Sequence, residues 1–157
     1  MTKKILVVCA TNSIKSQIAQ GMIQHFVGRW AKVYSGGVKE GALNPLAVES
    51  MDDVGLDISG QSHHYTEDYD NVLFDFIITL DSESRELMPY AGGGALKGIT
   101  NIEDPILDGS SNDKARMNKC RDAVRDYCRV FCKMHFTGVK ANPKGKAPNR
   151  RGPKKKD

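Results

Sequence analysis

Cys9-Ala10-Thr11-Asn12-Ser13-Ile14-Lys15-Ser16 is the stretch of this 157-residue chain whose residue types and spacing could do chemistry. A cysteine ends an apolar run, and the turn after it leads straight into a helical period that begins at Ser13. Backbone N–H groups at such a helix start have no partner within the helix, and the aligned peptide dipoles give them positive potential. Ala10, Thr11, Asn12, Ser13, Ile14, Lys15 and Ser16 are therefore candidates to bind an oxyanion such as phosphate, arsenate or sulfate. The same field would drive a thiol at Cys9 toward the nucleophilic thiolate. Lys15 adds a formal charge, and Ser16 a hydroxyl that could donate to the sulfur. Cys9 would equally serve as a small buried hydrophobe that finishes a strand, and both readings stand at this point.

The elements that must position this loop can be read from apolar spacing. Residues 4–9, KILVVC, form the short continuous apolar run of a strand buried on both faces. Ile14, Ile18, Met22, Phe26 and Trp30 recur every four residues, with Ala19 and Ile23 beside them, as on one helix face. Lys32 to Ser35 reads as a second strand. Asn44-Pro45 reads as an N-cap with proline at the first helical position, the helix running through Leu46, Val48, Met51 and Val54 to Gly55. Phe74–Leu80 is another buried-strand run, and Ser82–Met88 a short helix. Ala91–Gly98 is glycine-rich and expected to be a flexible loop, with a fourth strand over Gly98–Ile102. From Asp113 to near Phe136, Cys120, Ala123, Val124, Tyr127, Cys128 and Phe131 share one face of a long amphipathic helix. Alternating strands and helices predict a single α/β domain with a four-stranded parallel sheet flanked by helices, whose ligands sit at the strand carboxyl ends.

Charge divides the chain in two. From Gly138 onward there are eight Lys and Arg and one Asp, so this stretch carries +7 while the whole chain carries +4, which leaves −3 for residues 1–137. The expected organisation is a domain over 1–137 and a disordered basic tail over 138–157, which has three prolines, three glycines and no aromatic residue. Such a tail supports weak, salt-sensitive contact with nucleic acid or anionic lipid, without aromatics for base stacking. No apolar run approaches the roughly 20 residues of a transmembrane segment. The apolar stretch near Met1 is too short for a secretory signal. Four cysteines are too few for a disulfide-built scaffold, so a reducing, cytoplasmic setting is expected.

The loop and the segments after it resemble the low-molecular-weight protein tyrosine phosphatases and the related thioredoxin-coupled arsenate reductases. Their signature is a cysteine, five residues, then Arg-Ser/Thr, with Asn three positions after the cysteine. Cys9, Asn12 and Ser16 match it, as do QIAQGMIQHF, Tyr34–Ser59, Phe74–Ser82 and the Glu103–Pro105 triplet, in register over roughly residues 3–135. The resemblance implies that Cys9 attacks phosphorus to form a thiophosphate intermediate. It implies that Asp104 protonates the leaving oxygen and then helps water attack. Asn12 would hold the loop's shape, Ser16 would assist the sulfur, and Lys15 would stand where the family has arginine. The implied substrates are a phosphorylated protein, with phosphotyrosine foremost, or a small aryl phosphate. No cofactor and no metal are implied.

Two departures matter. Lysine cannot make the bidentate contact of a guanidinium, and loss of one well-placed oxyanion donor costs on the order of 10²–10³ in rate. Turnover is therefore expected to be impaired, and a phospho-ligand binding module without turnover is an alternative. The reductases' two further cysteines correspond here to Asp81 and Met88, so a disulfide relay within the chain is not expected, and reduction would need an external thiol. Leu80-Asp81 and the serine-containing helix after it resemble the phosphatase branch, while Gly41–Pro45 resembles the reductases. Elsewhere, Cys128, Cys132 and His135 have helical spacing for zinc but also continue the apolar stripe, with no fourth ligand in view. His63-His64 lies in a polar loop that could border the pocket. Tyr65 could stack on a phenyl substrate.

Overall fold

The computed structural model describes residues 2–88 and 94–145. Strand β1 (Lys3–Cys9) leads through the candidate loop into helix α1 (Lys15–Val27), and β2 (Ala31–Gly37) follows. Then come α2 (Pro45–Asp52), β3 (Phe76–Thr79), α3 (Ser82–Leu87), β4 (Leu96–Ile99) and α4 (Asp113–His135). The four strands form one parallel sheet in the order β2-β1-β3-β4. The single α/β domain with a four-stranded parallel sheet is thus as the spacing predicts. Chain order reverses at β1, because β2 pairs on one side of it and β3 on the other. The carboxyl end of β1 therefore opens into the crevice where such sheets bind ligands.

Alternation along β1 explains its central place. Ile5, Val7 and Cys9 pack into the larger core with Ile18, Met22, Ile23 and Phe26 of α1 and with Met117, Val124 and Cys128 of α4. Leu6 and Val8 face the other side, against Phe74 and Ile77. Both faces are covered, which is why the strand reads as an unbroken apolar run.

Several boundaries fall elsewhere than the local pattern suggests. Gly28 adopts φ 57° and ends α1, so Trp30 lies in a short 3₁₀ turn (Gly28–Trp30), 55% exposed, and not on the buried helix face. Strand β2 extends to Gly37 because its ladder with β1 continues to Cys9. Helix α2 stops at Asp52, and Gly55, at φ 83°, turns the chain away. Strand β4 begins at Leu96, registered on Phe76, and its Gly98 lies beneath the α4 aromatics, where a Cβ would stand 2.6 Å from the Tyr127 hydroxyl. Residues 89–93 of the loop expected to be flexible lie outside the described residues.

The first part of the basic tail does not leave the domain at residue 138. Gly138, at φ 68°, turns the chain back, and Val139 packs against the core. Lys140 N–H donates to the Phe26 carbonyl at 3.1 Å, and His25 Nε2 lies 2.9 Å from the Ala141 carbonyl. The last turn of α1 carries carbonyls with no helical partner, and the tail satisfies one of them. The remainder of the tail, from residue 146, lies outside the described residues.

Candidate active site

Asn12 organises the loop between β1 and α1. It is fully buried and holds φ 51°, a left-handed conformation that asparagine tolerates better than most residues. Its Nδ2 donates to Ser16 Oγ at 2.6 Å and to Ser35 Oγ at 3.0 Å. Its Oδ1 accepts from His64 N at 2.9 Å and from Gln17 Nε2 at 3.1 Å. One side chain thereby ties the loop to α1, β2 and the 60–65 segment.

The loop's carbonyls are committed outward. Ala10 O accepts from both Val38 N and Lys39 N at 2.9 Å, Ser13 O from Asn44 N at 3.0 Å, and Ile14 O from Ile18 N at 2.9 Å. Thr11 O accepts from Ser13 Oγ at 3.3 Å and Asn12 O from Gln17 Nε2 at 2.9 Å. Ile14 stands at the N-cap of α1 without a side-chain cap. Among the described residues, the backbone N–H groups from Thr11 to Lys15 have no hydrogen-bond acceptor and are placed to meet a ligand. Backbone packs closely behind it, since a Cβ on Gly37 would lie 2.9 Å from Asn12 N and one on Gly41 would press on Thr11 O and stand 2.6 Å from the Ser13 hydroxyl.

Cys9 is buried at the end of β1 and points its sulfur at the start of α1. Ser16 Oγ lies 3.0 Å from Sγ, and Ser16 N–H donates to Sγ at 3.4 Å. Burial nonetheless pushes the thiol up from its ordinary value, against the Ser16 hydrogen bonds and the Lys15 charge, with Asp81 adding to the rise. In the resting site the loop's pull toward thiolate is thus opposed by burial. The chief cause is desolvation of the buried sulfur, which outweighs the Ser16 hydrogen bonds and the smaller pull of the Lys15 charge.

Lys15 is 3% exposed, and its ammonium has three protein acceptors. Nζ donates to Ile102 O at 2.7 Å, and it lies 2.8 Å from Asp81 Oδ2 and 3.4 Å from Asp104 Oδ1. The ammonium is thus held between a carbonyl and two carboxylates, the nearer of them Asp81. Burial would push Lys15 down, but Asp81 and Asp104 hold it above the ordinary lysine value. Burial would likewise raise Asp81, and hydrogen bonds from Lys15, Ser84 and Ala10 N–H hold it below the usual carboxylate range.

The structure brings Cys9, Asn12, Lys15, Ser16 and Asp104 to one end of the sheet, Asp104 through its ion pair with Lys15. His64 reaches the loop through its backbone, while His63 Nε2 lies 3.0 Å from Lys39 O and its ring meets Tyr65 edge to face. Cys120, Cys128 and Cys132 are buried on α4; desolvation pushes Cys120 up to about 11 and Cys132 to about 12. His135 packs against Phe131 and Phe76, so these residues continue the apolar face. Among the described residues, no group of three His, Cys, Asp or Glu is placed to hold a metal ion.

Sequence reasoning missed Gln17, which is fully buried and binds Asn12 and Ser62 O, and missed the role of Asp81. A buried-face glutamine beside the loop serine was the only signal for the first. An aspartate before Ser-Glu-Ser is an N-cap signal, and Asp81 does cap α3, accepting from Ser84 N at 2.9 Å.

A strand-ending thiol, a loop whose carbonyls are committed outward and a helix start make an oxyanion-sized site at the carboxyl end of a parallel α/β sheet. The chain matches the family model described as low molecular weight phosphotyrosine protein phosphatase over residues 4–143, and it belongs to that family. Among its relatives, the arsenate reductase of Oceanobacillus iheyensis is 32% identical over 137 residues, covering 85% of this chain and 98% of the relative. The arsenate reductase of Bacillus subtilis is 30% identical over 131 residues, covering 82% and 94%. A solved arsenate reductase in the phosphate binding state aligns with TM-score 0.73 at 28% identity over 85% of this chain and 98% of that one. Vibrio vulnificus Wzb in complex with benzylphosphonate shares the fold, with TM-score 0.71 at 17% identity, covering 85% and 99%. No helix among the described residues is long and apolar enough to cross a membrane.

Proposed function

We propose that this chain hydrolyses aryl phosphomonoesters, phosphotyrosine foremost, through a phosphoryl group carried on Cys9. The observation that carries the reading is the double contact of Ser16 with the Cys9 sulfur at the mouth of a loop whose carbonyls are turned away. The N–H groups of Thr11, Asn12, Ser13, Ile14 and Lys15 bind the three non-bridging oxygens, with Ala10 and Ser16 bounding the cradle at its two ends. As the oxyanion binds, Cys9 gives up its proton and the Asp104 carboxylate takes one up, by exchange through solvent, and Sγ attacks phosphorus as the bond to the aryl oxygen breaks. Asp104 gives that oxygen a proton, then takes one from the water that displaces Sγ and releases phosphate. Ser16 stabilises the departing thiolate by hydrogen bonding.

Lys15 sets the efficiency. Held by Ile102 O, Asp81 and, more loosely, Asp104, its ammonium is offset by two carboxylates and does not grip the oxyanion. The loss of such a donor is on the order of 10²–10³ in rate. Hydrolysis of this kind needs no cofactor.

A second reading is arsenate reduction with an external thiol, favoured by relatives of about one-third identity that are named arsenate reductases. The positions of Asp81 and Met88, at the two ends of α3, offer no thiol for a relay. The test is p-nitrophenyl phosphate turnover beside arsenite release from arsenate with glutathione, each for wild type and Cys9→Ala. Cys9-dependent nitrophenol release supports the phosphatase, and Cys9-dependent arsenite release alone supports the reductase. Phosphate binding without either marks a binding module.

A further inference from the structure

We propose that Asp81 is a positioning residue for the Cys9 site: its carboxylate fixes where the Lys15 ammonium sits, and so sets how strongly the loop attracts an oxyanion. This rests on the reading of the loop as an oxyanion cradle. The geometry is that of a clamp. Asp81 Oδ2 takes the Lys15 ammonium at 2.8 Å and Ala10 N–H at 3.1 Å, so a single oxygen grips both ends of the loop. The other oxygen accepts from Ser84 N at 2.9 Å, and the Asp81 carbonyl accepts from Ser84 Oγ at 3.0 Å. The carboxylate is thus anchored to α3 and cannot follow the lysine if the lysine moves.

Asp81 outweighs the other two acceptors. Ile102 O is neutral, and Asp104 is 71% exposed, where solvent screens its pull. The Asp81 side chain is only 13% exposed, so its charge acts at close range with little screening. One ammonium faces two carboxylates, and the site has no net positive charge to offer an incoming anion. The titratable groups that bear on Cys9 are Lys15 from α1, Asp81 at the start of α3 and Cys120 from α4, with Asp104 acting behind Lys15. Neutralising Asp81 leaves Lys15 attached to a carbonyl and an exposed carboxylate, free to turn toward the cradle.

Asparagine and serine cap helices as well as aspartate does, so Asp81→Asn and Asp81→Ser remove the charge and keep the cap. The experiment measures inorganic phosphate binding by calorimetry and the pH profile of Cys9 alkylation by iodoacetamide, using the full chain. Either variant is expected to bind phosphate about tenfold more tightly and to move the alkylation midpoint about one unit to lower pH. Lys15→Gln is expected to weaken phosphate binding about tenfold in the Asp81→Asn background and about twofold in the wild type. Unchanged phosphate affinity and alkylation profile in both Asp81 variants would overturn the proposal and leave Asp81 as a helix cap. Equal Lys15→Gln losses in the two backgrounds, or no phosphate binding by any form, would overturn it too. Neither readout requires turnover, so absence of phosphatase activity would count against the hydrolytic reading alone.

Discussion

Replacing Lys15 with methionine removes the ammonium while keeping a stem of similar volume in a buried position. The magnitude follows from the two ion pairs. Asp104 is 71% exposed, and a pair of that kind contributes about 0–1 kcal/mol. The pair with Asp81 is different: its partners are 3% and 13% exposed at 2.8 Å, and breaking a buried pair costs about 3–5 kcal/mol. Asp81 keeps its Ala10 and Ser84 hydrogen bonds in the variant, which points to the lower end, about 3 kcal/mol. For a domain of this size that is a fall of about 6–12 °C in Tm. The pH dependence has a definite sign. Asp81 is held below 3.8, so its contribution is present above that value and fades as pH falls through the lower folded value. Lys15 is held above 10.5, so its contribution is complete below that value and fades as pH rises through the folded one. Urea melts of wild type and Lys15→Met across pH should therefore show a gap that is flat between these limits and narrows beyond each. Lys15→Met/Asp81→Asn should recover at least half of the loss, because no uncompensated carboxylate remains. A neutral-pH loss below about 1 kcal/mol, or a gap that persists undiminished in strong acid, refutes the reasoning.

Other substitutions test the loop itself. Asn12→Ala removes four hydrogen bonds and leaves a left-handed backbone to a residue that resists it; a loss of about 3 kcal/mol in urea melts and of phosphate binding is expected. Asn12→Gly should recover part of the stability and none of the binding, and equal stability of the two variants would contradict the backbone argument. Gly41→Ala drives a methyl against Thr11 O and Ser13 Oγ, so at least tenfold weaker phosphate binding is expected in calorimetry, with far-UV circular dichroism unchanged. Wild-type affinity in Gly41→Ala would show that the cradle does not depend on this contact.

Much of the frame was legible because it is written in local periodicity. β1 and β3 are uninterrupted apolar runs since the sheet is covered on both faces, and α1 and α4 carry their buried residues on one stripe. Trp30 had the right spacing and the wrong environment, because Gly28 breaks the helix before it. The start of β4 depends on pairing with Phe76 and not on its own sequence. At the site, Cys9, Asn12 and Ser16 stand out by spacing because they meet within one turn of chain. The acceptors of Lys15 do not, since Asp81, Ile102 and Asp104 arrive from distant elements only when the sheet forms. A sequence shows that a charge is present in the loop; it takes the fold to show that the charge is already engaged. Nor does spacing show how deeply the sheet buries Cys9, and that burial raises its thiol in the resting site.

Cys9 as the phosphoryl acceptor is tested most directly by chemical trapping. Asp104→Asn, which slows release of the intermediate, is mixed with p-nitrophenyl phosphate, quenched within the first turnover and digested for mass spectrometry. One phosphoryl group on the Cys9 peptide, absent from Cys9→Ala/Asp104→Asn, is the predicted result. Nitrophenol release by Cys9→Ala at the wild-type rate would contradict it.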